Sequence, residues 1–170
     1  MKWYITGDLH FGHDNIIIHS NRPFKNVDHM DNTLIRNWNQ RVKPCDTIII
    51  NGDFYFRNKN HPLSYYLDRL NGKKIFIRGN HDNNNGVKTK ITSTTVYHAK
   101  TEFYIVHRPQ HFNVGYDINL TAHTHEKWKI KKVVDGEKVI TLYNVGVDVN
   151  NFMPISFDEI IWEINYGSIK

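Results

Sequence analysis

Asp46-Thr47-Ile48-Ile49-Ile50 is a continuous apolar run, and it reads as a central strand buried on both faces. Such a strand needs a covering layer on each side of its sheet. The flanking segments supply one. Residues 2–7 read as a strand, and residues 28–42 as a helix in which Val27, Met30, Leu34, Trp38 and Val42 recur at spacings of three and four. Asp28 is the expected N-cap, and Pro44 ends the segment. A second helix opens at Asn60–Pro62, lines one face with Leu63, Tyr66, Leu67 and Leu70, and closes at Gly72. Residues 73–79, KKIFIRG, form a third strand. The order βαβαβ predicts parallel strands flanked by helices.

The second half changes character. Residues 94–99, 101–107, 118–125, 127–134, 138–145 and 159–166 all read as strands, with a hairpin turn at 135–138 and an Asn-rich loop at 83–86. A mostly antiparallel sheet is expected there. The fold class is therefore α/β (α+β): a two-sheet β-sandwich flanked by helices, in one domain spanning residues 1–170. With 39% hydrophobic and 13% aromatic residues, the chain can bury such a core and is not disordered.

Five polar clusters follow the expected strands. They are Asp8 with His10, Gly52 with Asp53, Arg78-Gly79-Asn80-His81-Asp82, His107, and His123 with His125. Residues two apart on an extended chain point to one side, so each two-apart pair can enter one site. In an open parallel sheet, ligands bind beyond the carboxyl ends of strands. A lone His there is ordinarily structural, and an Asp after Gly is ordinarily a turn residue. The recurrence at five strand ends is what points to chemistry. Asp8, His10, Asp53, Asn80, His107, His123 and His125 give oxygen and nitrogen donors without a thiolate. That set suits Mn²⁺, Fe, Zn²⁺ or Ni²⁺, and argues against structural zinc or calcium. It exceeds what one ion takes, and two ions sharing a carboxylate at roughly 3.5–4 Å would use it well.

Charge adds less. The net charge of +5 fits an anionic partner, phosphate or nucleic acid. An AT-rich coding bias accounts for it equally, since only two alanines occur while Asn, Lys and Ile abound. That bias does not favour histidine, of which there are eleven. No stretch reaches the ~18 apolar residues of a membrane span. The N-terminus lacks a secretory pattern, and the single Cys45 forms no internal disulfide, so a cytoplasmic location is expected.

The ordered motifs D-x-H (Asp8, His10), G-D (Gly52, Asp53), G-N-H-D (Gly79 to Asp82), a lone His107 and H-x-H (His123, His125) resemble the calcineurin-like metallophosphoesterase superfamily. The segment FGHDNII and the tail NVGVDV at 144–149 are similar to a short single-domain branch of it in bacteria and phages. The resemblance implies the αββα four-layer fold. It also implies that Asp8, His10, Asp53 and His125 hold one metal, and that Asp53 bridges to a second completed by Asn80, His107 and His123. The family's last motif usually begins with Gly, where this chain has Ala122, and tuning rather than loss is expected.

The implied activity is hydrolysis of phosphate esters, phosphodiesters or nucleotides foremost, by a hydroxide shared between two divalent ions, Mn²⁺ first among the candidates. His81 would protonate or steady the leaving oxygen, with Asp82 orienting it. Arg78 is the candidate phosphate clamp, and His13 and Asn15 the candidate substrate contacts. His19, His29, His61, His98 and His111 read as structural or surface residues. Lys127, Lys129 and Lys131 alternate along an expected strand and could follow a nucleic-acid backbone, although a solvated hairpin face explains them as well. The alternatives are a phosphomonoesterase or protein phosphatase, a non-catalytic scaffold of the same fold, and a nucleic-acid-binding module. No membrane partner is expected, and oligomeric state is not legible.

Overall fold

The computed structural model describes residues 1–58 and 61–167. In chain order its elements are β1 (Trp3–Thr6), α1 (Asp14–His19), α2 (Val27–Arg41), β2 (Thr47–Asn51), α3 (Leu63–Leu67), β3 (Lys73–Ile77), β4 (Ser93–His98), β5 (Thr101–Val106), β6 (Ile118–Thr121), β7 (Ile130–Asp135), β8 (Lys138–Asn144), β9 (Ile155–Ser156) and α4 (Phe157–Tyr166). Two sheets flanked by helices result. One runs β3-β2-β1-β9, the other β4-β5-β6-β8-β7.

The isoleucine run explains itself in β2. Ile48 and Ile50 join Met30, Leu34, Trp38 and Tyr66 in the core beneath the helices. Ile49 points the other way, into the core between the sheets, with Ile5, Phe103, Ile105, Leu120 and Tyr143. All three isoleucines are at most 1% exposed, which is why no polar residue interrupts the run. The expected parallel order holds, with Ile5 opposite Ile49 and Ile49 opposite Ile75. The N-cap of α2 is Asn26, which accepts the His29 N–H, rather than Asp28. Of the expected start of the second helix, Asn60 lies outside the described residues.

Three expectations are corrected. The second sheet is mixed: β5/β6 and β6/β8 are parallel, while β4/β5 and β7/β8 are antiparallel. Segment 107–117 carries the chain back across the sheet, which lets β6 run in the same direction as β5. Residues 159–166 form most of α4, not a strand. Ser156 caps its first turn in a reciprocal capping box with Glu159, and Phe157 and Ile160 bury one face against the inter-sheet core. The lysine stripe dissolves too: Lys127 lies in a short 3₁₀ turn before β7, and Lys129 pairs with Glu163 at 2.7 Å. Among the described residues, no helix is long and apolar enough to cross a membrane.

Candidate metal centre

The polar clusters lie where β1, β2, β3, β5 and β6 end, and loops from both sheets meet there. The chain does not stay extended past β1, as the sequence reading assumed. Asp8 and His10 adopt left-handed backbone conformations with φ of 53° and 52°, as do Asp53 (52°), His123 (70°) and His125 (49°). These kinks are fixed by hydrogen bonds between neighbouring tips: the Asp8 N–H donates to the Gly52 carbonyl at 3.1 Å, and the His10 N–H to the Asp53 carbonyl at 2.9 Å. Gly79 permits the closest approach, since a Cβ there would collide with the Asp53 carboxylate and backbone.

Two trios of donor atoms emerge. Asp8, His10 and His125 form one, and Asp53, His107 and His123 the other, with the donor atoms of each trio within 4.8 Å of one another. Asp53, in the second trio, also faces the first. Its Oδ2 lies 3.4 Å from His107 Nε2, 3.7 Å from His10 Nε2 and 4.0 Å from His81 Nε2. Asn80 Oδ1 is 3.1 Å from His107 Nε2, which adds it to the second trio. Asp8 Oδ1 and His10 Nε2 are buried with no hydrogen-bond partner among the described residues. Orphaned donor and acceptor atoms are costly when buried, unless something else occupies the space they face. A divalent cation fits that space, and the oxygen and nitrogen donor set suits one.

Charge is concentrated here. Burial pushes the Asp8 carboxyl up to about 6, against the pull of His107 and His125. Burial alone would lower His107, but the Asp53 and Asp8 carboxylates overcome it and lift the imidazole to about 9. Its Nδ1 lies 2.8 Å from the Asn51 carbonyl, so Nδ1–H donates there and Nε2 faces Asp53.

The remaining candidates divide. His81 is half exposed at the mouth, and its backbone N–H donates to Asp53 Oδ1 at 2.9 Å. Asp82 does not reach the His81 ring. Its buried carboxylate accepts backbone N–H groups of Asp53, Phe54 and Gly79, clasping two strand tips together. His13 stacks on Phe56 at 4.0 Å and places its Nδ1 3.3 Å from His10 Nδ1, so it borders the first trio. Asn15 sits exposed on α1, and no contact joins it to the site. Arg78 is exposed just past β3, on a pocket shared with Asn80 and His107. The Ala122 methyl is fully buried and fills the space above Gly7, where a second Cβ would come within 2.9 Å of it.

Sequence reasoning missed a supporting network. Arg22 donates to both Asp148 carboxylate oxygens, at 2.7 and 2.9 Å, and to the carbonyls of Asp8 and Leu9. Asp148 also accepts from His125 Nδ1 at 2.9 Å, which turns His125 Nε2 toward the first trio. Burial opposes ionisation of Asp148, but His125 and Arg22 hold its carboxyl below the usual range. Asn144 donates to the carbonyls of His125 and Trp128, anchoring the loop that carries the imidazole. The NVGVDV segment contains both Asn144 and Asp148, and was the signal available for them.

A two-sheet sandwich with paired Asp/His trios at one edge defines a class of metal-binding αββα proteins. The family model for calcineurin-like phosphoesterases matches residues 1–165, and the chain belongs to that family. An uncharacterized protein of Methanocaldococcus jannaschii, MJ1445, is 35% identical over 174 residues, covering 99% of this chain and 94% of its own length. The gene 66 protein of Mycobacterium phage L5 is 36% identical over 83 residues, which are 47% of this chain and 39% of that protein. Among solved structures, a protein of unknown function from Aquifex aeolicus, AQ665, shares the fold with a TM-score of 0.70 at 23% identity, covering 94% of this chain and 97% of its own.

Proposed function

We propose that the chain is a single-domain, cytoplasmic hydrolase of phosphate esters that works with two divalent ions, its substrates being phosphodiesters or nucleotides. The observation that carries this reading is that the Asp53 carboxylate, a member of one Asp/His trio, also lies 3.7 Å from His10 of the other, which presents the unpartnered buried atoms Asp8 Oδ1 and His10 Nε2. Asp8, His10 and His125 would hold one ion; His107, His123 and Asn80 would hold the other; Asp53 would serve both. Bound there, the ions (Mn²⁺ foremost, with Fe, Zn²⁺ or Ni²⁺ as alternatives) supply positive charge to the phosphate and acidify a water.

The chain's own residues do the rest. The Asn51 carbonyl and the Asp148 carboxylate fix the tautomers of His107 and His125. His13, stacked on Phe56, packs against His10 with its Nδ1 3.3 Å from that ring's Nδ1. His81, open to solvent beside Asp53, delivers a proton to the departing oxygen. Asp82 acts one step back, by holding the tips that carry Asp53 and Asn80. Arg78 contributes a guanidinium to phosphate binding. Asn15, exposed on α1 two residues past His13, is kept as a candidate substrate contact.

The test is hydrolysis of bis-p-nitrophenyl phosphate and of its monoester, with Mn²⁺, Ni²⁺ and Zn²⁺ supplied in turn. Activity abolished by chelation, and reduced about 10²-fold or more in His81→Ala, is expected. Silence on both substrates with ions bound overturns the reading.

A further inference from the structure

Beyond the Asn80–His107 pair lies a pocket of about 280 Å³, and apart from that pair the proposed mechanism draws on only the Arg78 guanidinium from its lining. Arg78, Thr92, Arg108 and His111 line it, and Asn80 and His107 contribute to the same wall. No carboxylate lines it. Elsewhere Arg22 and Arg41 pair with Asp148 and Glu159, while Arg36, Arg57 and Arg69 have no carboxylate partner among the described residues. Among the described residues, neither Arg78 nor Arg108 has a carboxylate partner, and both are exposed. Two guanidiniums beside one cavity make it a favourable place for an anion.

The backbone of each is also held in place. Arg108 immediately follows His107 and opens a 3₁₀ turn whose buried Pro109 fixes the backbone, with the His111 N–H closing onto the Arg108 carbonyl at 3.0 Å. The Arg78 N–H donates to the Ile91 carbonyl at 2.8 Å, tying the tip of β3 to the segment before β4. Each arginine therefore stands within two residues of a side chain in the second trio. An anion captured here would be a close neighbour of any phosphate at the metal centre.

We propose that this pocket is a subsite for a second phosphate of the substrate, so that the preferred substrate is a phosphodiester with another phosphate on the adjoining sugar, as in a nucleic-acid strand. Arg108 is the specificity-determining residue, because a guanidinium meets phosphate oxygens in pairs. The proposal rests on the hydrolytic reading for what occupies the metal centre. The recognition itself is measurable without turnover.

The experiment is calorimetric titration of the full chain, as purified and before ions are added, with three thymidine probes: the unphosphorylated dinucleotide, the 5′-phosphorylated dinucleotide and the trinucleotide. Binding of one or both two-phosphate probes about tenfold tighter than the plain dinucleotide is expected. Which of them gains tells whether a terminal or an internal phosphate enters the pocket. Arg108→Glu should reduce that preference below twofold, while Arg108→Lys, keeping the charge but not the fork, retains part of it. No preference in the parent protein, or a preference that Arg108→Glu leaves intact, overturns the proposal. Mn²⁺ and bis-p-nitrophenyl phosphate are then added to the same samples. Silence there removes the hydrolytic reading alone and leaves the phosphate preference standing.

Discussion

Five residues of the two trios, Asp8, His10, Asp53, His123 and His125, share a backbone conformation that side chains other than glycine rarely adopt. Each such kink costs on the order of 1–3 kcal/mol, and strain of this kind persists where the surroundings enforce it. His123→Gly should accordingly leave the ion-free protein as stable as before, or more stable by up to about 1 kcal/mol, while weakening ion binding at least tenfold. Chemical denaturation and ion titration measure the two halves separately, and a large loss of stability would contradict the argument. Asp31 makes a different prediction, outside the two trios. It accepts the Gly12 N–H and the Tyr66 hydroxyl, and burial lifts its carboxyl to about 6. In the unfolded chain the same group titrates near ~3.9. Between these values the folded state holds a proton that the unfolded state has lost, so rising pH removes stability. The stability difference between parent and Asp31→Asn should therefore drift against the parent as pH climbs from about 4 to about 6, by on the order of 2–3 kcal/mol. A flat difference in urea titrations across that window would refute it.

Among elements, legibility followed environment. β2 was readable because both its faces are buried, leaving an unbroken Thr-Ile-Ile-Ile run. α4 was not, because Ile160, Ile161 and Ile164 give a β-branched stretch that satisfies strand propensity as easily as one face of a helix. The deciding signal was local and present: Ser156, then Glu159 three residues on, which is a capping box. Ser156→Ala should cost about 1 kcal/mol in denaturant unfolding, as the loss of a helix cap does. A strand at this position would show no such loss. The mixed pairing of the second sheet was hidden because alternation along a strand reveals which face is buried but not which neighbour it meets. Arg22 was hidden for a longer-range reason. Its partner Asp148 is remote in sequence, and only the completed fold brings them together.

For the whole molecule, ion binding and stability are one equilibrium, because the unfolded chain cannot gather the trios. Saturating Mn²⁺ at about 100 times its dissociation constant should stabilise the protein by about 2.7 kcal/mol. In a chain of this size that amounts to roughly 5–10 °C of melting temperature, reversed by chelation. Calorimetry that finds no shift would separate the trios from any ion. The order in which the site's parts arrive matters as well. Arg22 holds the Asp8 and Leu9 carbonyls from the first part of the chain, yet it is aligned by Asp148 near the last, and that same carboxylate sets the ring of His125. During translation, a chain that has delivered its first three strands offers Asp8 and His10 without the groups that orient them. Under the proposed function, a nascent chain stalled before Asp148 would lack the carboxylate that sets His125 and aligns Arg22, and its first trio would stand unoriented.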